Sequence, residues 1–144
     1  MNCKDLMTKY LKMCREECTV KDAAQIMKDL NVGAVPVIND NNEPVGIITD
    51  RDIMLNTLTK HMDPQKTPIT EIMSKPVIIC KEYDDINVAI DKMKKHKIRR
   101  IPVVNDYNKL VGIISLGDIA VLSREEHETF EALEEISQPV SSAK

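Results

Sequence analysis

Hydrophobic residues follow two different patterns along this chain. Apolar residues recur every three or four positions from Val20 to Leu30 and again from Ile86 to Met93, which predicts an amphipathic helix in each region. Two short apolar runs follow each predicted helix, and Asn- and Asp-rich residues separate them, which predicts strand, turn and strand. The predicted strands are 34–38, 45–48, 101–104 and 110–114.

Each region is preceded by a predicted strand and followed by a predicted helix. Residues Asp50 to Leu58 and Leu116 to Leu122 predict a second helix in each region. The short apolar segments Tyr10 to Met13 and Val77 to Cys80 predict a leading strand before each first helix. The chain therefore predicts the order β-α-β-β-α twice.

The two regions are copies of one another. Shifting the sequence by 66 residues aligns Pro36 with Pro102 without a gap, and 18 of the 56 aligned positions are identical, which indicates an internal duplication. Neither copy covers its own small sheet, so the α/β fold predicted here packs the two repeats sheet to sheet about a pseudo-two-fold axis. The predicted parts are repeat 1 at 1–60, a linker at 61–68, repeat 2 at 69–124, and an acidic C-terminal helix and tail at 125–144, frayed from Gln138 onward.

Composition narrows the class of protein. The net charge of −3 argues against a surface built throughout for nucleic acid. The apolar runs are too short to span a bilayer and the N-terminus lacks a signal-peptide stretch, so a cytoplasmic protein is expected. Cys3, Cys14, Cys18 and Cys80 are expected to be reduced thiols. Cys14 and Cys18 resemble half of a metal site, but no second ligand pair follows at a suitable spacing.

Charge is distributed unevenly along the second half of the chain. Six basic residues lie between Lys92 and Arg100, and six glutamates lie between Glu125 and Glu135. Such runs are commonly solvated helix faces. If Arg99 and Arg100 face a cleft, they suit a phosphate; if they face outward with the neighbouring lysines, they form a surface patch. No aromatic stacking platform accompanies the basic run, which disfavours single-stranded nucleic acid as a partner.

A Thr/Ser-x-x-Asp motif opens the second helix of each repeat, as Thr49 with Asp52 and as Ser115 with Asp118. Its structural interpretation is a capping box, which requires no ligand. Its functional interpretation is a nucleotide site, because anions bind at helix N-termini and a carboxylate accepts hydrogen bonds from a ribose diol. The sequence leaves both open.

The duplicated β-α-β-β-α order carries recurrent motifs. The strands Gly-Ala-Val-Pro-Val and Arg-Arg-Ile-Pro-Val occur with Gly-Ile-Ile-Thr-x-x-Asp and Gly-Ile-Ile-Ser-x-x-Asp. Together they resemble a tandem pair of cystathionine-β-synthase (CBS) domains, the Bateman module, and most resemble its small stand-alone members. The resemblance covers residues 3 to about 124. It implies a cleft that binds an adenosine compound such as AMP, ADP, ATP or S-adenosylmethionine, and a disc-like homodimer.

The resemblance also implies roles for individual residues. Asp52 and Asp118 fall where the family binds ribose, and Thr49 and Ser115 fall where it places a hydroxyl. The adenine environment of the second site falls on Val77, Ile78, Ile79 and Ile101. Arg99 and Arg100 fall where another member places phosphate ligands. Repeat 1 has Gly33 and Ala34 there, so its positive charge has to come from Arg51 or from a residue of the other repeat, and we expect repeat 2 to contain the stronger site.

Three classes of function are therefore distinguished. The first is a non-catalytic, adenosine-nucleotide-binding regulatory module that acts through dimer geometry or a separate effector protein. The second is an interaction module with the same fold and no ligand, and the third is nucleic-acid binding. An enzyme is not expected, because His61, His96 and His127 are scattered and no Ser or Cys has a base beside it in the sequence. No cofactor, metal or membrane partner is expected.

Overall fold

The computed structural model describes residues 1–9, 12–122 and 126–137. Within these residues the fold is mixed α/β, with six α-helices and two three-stranded sheets. The helices are α1 (Cys3–Leu6), α2 (Val20–Leu30), α3 (Asp50–Lys60), α4 (Ile86–His96), α5 (Leu116–Leu122) and α6 (Glu126–Ser137). The strands are β1 (Cys14–Arg15), β2 (Ala34–Ile38), β3 (Pro44–Thr49), β4 (Cys80–Lys81), β5 (Arg100–Val104) and β6 (Leu110–Ser115). The predicted α/β class with two β-α-β-β-α repeats is confirmed.

The two sheets share one topology. Strands β1, β2 and β3 form the first sheet in that order, and β4, β5 and β6 form the second. The leading strand is parallel to the middle strand in both sheets, with Cys14 opposite Val37 and Cys80 opposite Val103. The pairs differ by the same 66 residues that align the sequence, so the duplication extends to strand register.

Both leading strands are shorter and start later than the sequence predicts. The predicted segment Val77 to Cys80 enters the sheet only at Cys80, and Lys12 and Met13 precede β1, while Tyr10 and Leu11 lie outside the described residues. The register places the middle-strand prolines, Pro36 and Pro102, directly beyond the paired residues. Because proline has no N–H to donate to a ladder, the parallel pairing lacks a donor at that point.

The predicted turns between strands form as the sequence indicates. The side-chain oxygen of Asn39 accepts hydrogen bonds from the backbone N–H groups of Asn41 (2.9 Å) and Glu43 (3.0 Å). Asn42 and Asn108 occupy equivalent positions, each with a φ of 61°. Asparagine tolerates this left-handed conformation better than most residues, which explains why both copies keep it.

The chain folds into two compact units that are not contiguous in sequence. The N-repeat unit contains Lys12–Val77 with Asn108–Leu110. The C-repeat unit contains the described residues of Met1–Leu11, Ile78–Tyr107 and Val111–Lys144. The segment that precedes each leading strand thus packs in the unit of the other repeat. The domain boundaries given above remain a prediction.

The segment that precedes each leading strand, which we call the exchanged segment, packs against the glycine of a Val-Gly-Ile-Ile motif. Met7 lies over Gly112, and a Cβ atom at Gly112 would also lie 3.0 Å from the carbonyl oxygen of Thr8. Met73 lies over Gly46 in the same way, where a Cβ atom would lie 3.1 Å from the carbonyl oxygen of Ser74. The repeated glycine therefore has a packing function that requires no ligand.

Short turns of helix also belong to the exchanged segments. Helix α1 buries Cys3 and Leu6, and a 3-10 helix at Ile69–Glu71 buries Ile69. Neither was predicted, because three or four residues are too few to show a helical period. The predicted C-terminal helix is present as α6, whereas Ser123 and the tail from Gln138 lie outside the described residues.

Candidate functional site

Two pockets occur at equivalent positions of the two repeats. The C pocket has a volume of about 310 Å³ and the N pocket of about 400 Å³. The N pocket is lined by Asp50, Arg51 and Met54, whose counterparts Leu116, Gly117 and Ala120 line the C pocket. The C pocket is also lined by Arg99, Arg100, Ser115 and Leu133. The duplication has thus conserved the location of a pocket and changed its walls.

A capping box stands at each pocket. The Ser115 hydroxyl accepts from the Asp118 N–H at 3.0 Å, and the Asp118 Oδ2 atom accepts from the Ser115 N–H at 3.1 Å. Thr49 and Asp52 make the same two bonds, both at 3.1 Å. The capping interpretation is therefore confirmed for both motifs. Asp52 and Asp118 are half-buried and lie outside the set of pocket-lining residues.

Strand pairing brings the arginines to the start of α5. The Leu116 N–H donates to the carbonyl oxygen of Arg99 at 2.8 Å, and β5 begins at the next residue, Arg100. In repeat 1 the Asp50 N–H makes the equivalent bond to Gly33 at 3.0 Å. The same backbone contact therefore presents two guanidinium side chains in repeat 2 and none in repeat 1.

The basic stretch of repeat 2 divides into two groups with different neighbours. Lys94 forms an ion pair with Glu131 at 3.2 Å, and this hydrogen bond raises the pKa of Lys94. Lys97 Nζ donates to the carbonyl oxygen of Glu135 at 3.3 Å. Arg99 and Arg100 are exposed and line the C pocket instead. Lys94 and Lys97 therefore contact α6, whereas the two arginines line the C pocket.

The N pocket carries a carboxylate close to the residue that replaces the first arginine. The Asp50 Oδ1 atom accepts from the Arg51 N–H at 2.8 Å. A Cβ atom at Gly33 would lie 3.1 Å from the Asp50 Oδ2 atom, so this carboxylate lies directly against the glycine. The N pocket combines one carboxylate with one guanidinium, whereas the C pocket presents two guanidinium groups.

The predicted adenine-binding residues do not line the C pocket. Ile101 is fully buried in the core of the C-repeat unit. Ile78 and Ile79 are half-buried in the segment before β4, and the Ile79 carbonyl oxygen accepts from Lys92 at 2.7 Å. Val77 belongs to the N-repeat unit. A role for these positions in adenine binding remains a prediction.

Sequence reasoning missed the apolar wall of the C pocket. Leu133 comes from α6, beside the fully buried Ala132 and three residues before the partly buried Ile136. The spacing of apolar residues in this acidic segment was the available signal for a docked helix. Leu116, Gly117 and Ala120 were also missed, because their role becomes visible only through their counterparts in the N pocket.

The four cysteines are free thiols and lie in adjacent pairs. A hydrogen bond from Cys3 to Cys80 raises the pKa of Cys3 and lowers that of Cys80. Burial, with Cys18 beside it, raises the pKa of Cys14 to about 12. Within the described ranges no group of three His, Cys, Asp or Glu side chains is placed to hold a metal ion. No helix of those ranges has the length and apolarity needed to cross a membrane.

Comparison with known proteins identifies the family. The model of the CBS domain matches residues 3–57 and 69–125, which together cover most of the chain. The chain belongs to the CBS domain family. The CBS domain-containing protein YhcV of Bacillus subtilis is 40% identical over 134 residues, covering 93% of this chain and 94% of YhcV.

Solved CBS structures share the fold. A crystal structure of Hypoxic Response Protein I with two coordinated zinc ions has 30% identity and a TM-score of 0.79, covering 85% of this chain and 98% of that chain. The CBS domain pair of protein MJ0100, in complex with 5′-methylthioadenosine and S-adenosyl-L-methionine, has 31% identity and a TM-score of 0.75, covering 85% and 94%. CBS pairs of this kind thus include binders of adenosine compounds.

Proposed function

We propose that this CBS pair is a non-catalytic regulatory module that binds an adenosine compound, and that its stronger site is the C pocket. The observation that carries the proposal is the convergence of Arg99, Arg100 and Ser115 on one pocket. Arginine binds phosphate oxygens through charge-assisted hydrogen bonds in a planar, bidentate geometry. The pocket therefore suits the phosphate end of an adenosine nucleotide such as AMP, ADP or ATP.

The remaining parts of the ligand are assigned by the family resemblance. Asp118 would accept from the ribose hydroxyls while its Oδ2 atom keeps the cap, since a carboxylate has room for about four hydrogen bonds. Adenine would lie near Ile78, Ile79 and Ile101, which belong to the same unit as the C pocket. The complex of MJ0100 with two adenosine compounds supports this class of ligand, and S-adenosylmethionine is a candidate alongside the nucleotides.

We also propose that the protein works as a homodimer. Helix α3 has no buried residue, and Met54, Leu55 and Leu58 are 54%, 39% and 69% exposed. Val121 of α5 is 81% exposed. Exposed apolar side chains on a helix favour association. Light scattering at micromolar concentration should return twice the chain mass of 16.3 kDa, and a monomer mass would contradict the proposal.

A thermal-shift screen tests the ligand class directly. A ligand that binds only the folded state raises apparent stability by RT ln(1 + [L]/Kd), so saturating AMP, ADP, ATP, S-adenosylmethionine and NAD are compared on the same protein. At least one adenosine compound should raise the melting temperature, and Arg100→Ala should reduce the shift given by nucleotides. No shift with any of them would favour the alternative, a CBS module that acts only through protein contacts.

A further inference from the structure

Helix α6 supplies a wall of the C pocket although it lies outside the CBS motif. The family match ends at residue 125, and α6 begins at Glu126. Leu133, in the middle of α6, lines the C pocket together with Arg99 and Arg100. An element added to the CBS pair is therefore in a position to modify the chemistry of this pocket.

The position of α6 is fixed by several contacts within the C-repeat unit. Ala132 is fully buried in the core, and Ile136 packs against it. On α4, Lys94 pairs with the Glu131 carboxylate and Lys97 binds the Glu135 carbonyl oxygen. Apolar burial and two cationic contacts hold Leu133 at the pocket.

The surface of α6 at the pocket is apolar and negatively charged, which does not suit a long phosphate chain. Leu133 offers no hydrogen-bond donor, and the exposed Glu134 follows it directly on the helix. Glu131 and Glu135 lie about 160° around the helix from Leu133, and Glu131 is paired with Lys94. Within the Debye length of about 8 Å at physiological salt, repulsion between an exposed carboxylate such as that of Glu134 and a phosphate is only partly screened.

The size of the pocket points the same way. Its volume of about 310 Å³ lies at the lower end of the roughly 300–1,000 Å³ found for ligand pockets. We infer that α6 is a specificity element of the C pocket: through Leu133 and the adjacent Glu134 it admits a single phosphate group and disfavours a polyphosphate, so that a nucleoside monophosphate binds more tightly than the triphosphate. This inference rests on the proposed function and names the ligand class of the same site.

The test measures the ratio of Kd values for ATP and AMP by calorimetry on the full chain. The wild type should bind ATP at least about threefold more weakly than AMP. Leu133→Ala, which opens the wall, and Glu134→Gln, which removes the adjacent exposed charge, should each lower that ratio about threefold. Phe130→Ala is the matched control, because Phe130 lies on α6, is 67% exposed and does not line the pocket; its ratio should equal that of the wild type.

Inorganic phosphate and tripolyphosphate, tested on the same variants, separate this inference from the proposed function. If adenosine compounds fail to bind but Leu133→Ala improves tripolyphosphate relative to phosphate, the proposed function fails and the role of α6 stands. If AMP and ATP bind with a ratio that neither variant changes, the role of α6 is overturned and nucleotide binding stands. Absence of binding by all four anions would overturn both.

Discussion

The N pocket and the C pocket share a backbone and differ in charge. Each pocket lies at the junction of a strand with the following helix, where a reciprocal Thr/Ser-x-x-Asp cap is formed. In each, the first N–H of the helix donates to the carbonyl oxygen of the residue before the middle strand. The C pocket has Arg99 and Arg100 with small residues on its helix, whereas the N pocket has Asp50 against Gly33, with Arg51 beside it.

This difference distinguishes the residues of the repeated motif that the fold requires from the residues that would bind a ligand. The cap and the packed glycine recur in both repeats, so the fold alone accounts for them. The two arginines have Gly33 and Ala34 as their counterparts in repeat 1, which adopts the same fold without them. Positions at which the two repeats diverge while keeping the same backbone hydrogen bonds are therefore the most informative about ligand binding in this protein.

Asp118→Ala and Asp52→Ala should have equal effects on stability and unequal effects on binding. Each loses a cap, which costs about 1 kcal/mol of unfolding free energy. Asp118→Ala should also lose the ribose hydrogen bonds, which are worth roughly 1.5–3 kcal/mol, or about ten- to a hundredfold in nucleotide affinity. Calorimetry on folded variants measures the second effect. Equal nucleotide affinity in Asp118→Ala and the wild type would leave Asp118 as a cap alone.

Gly46→Ala and Gly112→Ala test the part that the repeats share. A new Cβ atom would collide with Met73 or Met7, so each variant should lose about 1–3 kcal/mol of unfolding free energy by overpacking. Adding Met7→Ala to Gly112→Ala should recover part of that loss, because the methionine side chain is the nearest obstacle. Urea denaturation measures both. A much larger loss at one glycine than at the other would show that the repeats are not equivalent in packing.

Asp50→Asn should have the smallest effect and should act on the N pocket only. Removing this carboxylate relieves its repulsion of a phosphate, which at an exposed position is worth up to about 1 kcal/mol, or a few-fold in affinity. A second, weak nucleotide site should become stronger in calorimetric titrations while the first is unchanged. Strengthening of the first site instead would mean that the two pockets have been ranked in the wrong order.

Much of the fold followed from the sequence because its determinants are local. The amphipathic helices, the Asn-rich turns and both caps depend on residues within a few positions of each other, and α2 and β2 have the predicted bounds. The leading strands were placed too early because the limit set by Pro36 and Pro102 depends on strand register. The packing of Met7 on Gly112 and of Met73 on Gly46 could not be predicted, because each contact joins segments that are distant in sequence.

The candidate site was predictable only in part. The Arg99-Arg100 pair and Ser115 were found from their place in the motifs, and the structure brings them to one pocket. The part of the wall that Leu133 forms was not predicted, because Leu133 reaches the pocket only when α6 packs on another helix. The contribution of Asp50 required the position of its carboxylate against Gly33, which no spacing in the sequence encodes.

Calorimetric titration of the Arg99→Ala, Arg100→Ala double variant with AMP and with adenosine tests whether the C pocket binds phosphate, with Arg51→Ala as the matched control. The double variant should lose at least about tenfold in AMP affinity, since charge-assisted bonds to phosphate are lost, while its adenosine affinity should stay within about twofold of the wild type. Arg51→Ala should leave the tighter AMP site unchanged. An unaltered AMP affinity in the double variant, or a larger loss in Arg51→Ala, would contradict the assignment of the C pocket as the phosphate site.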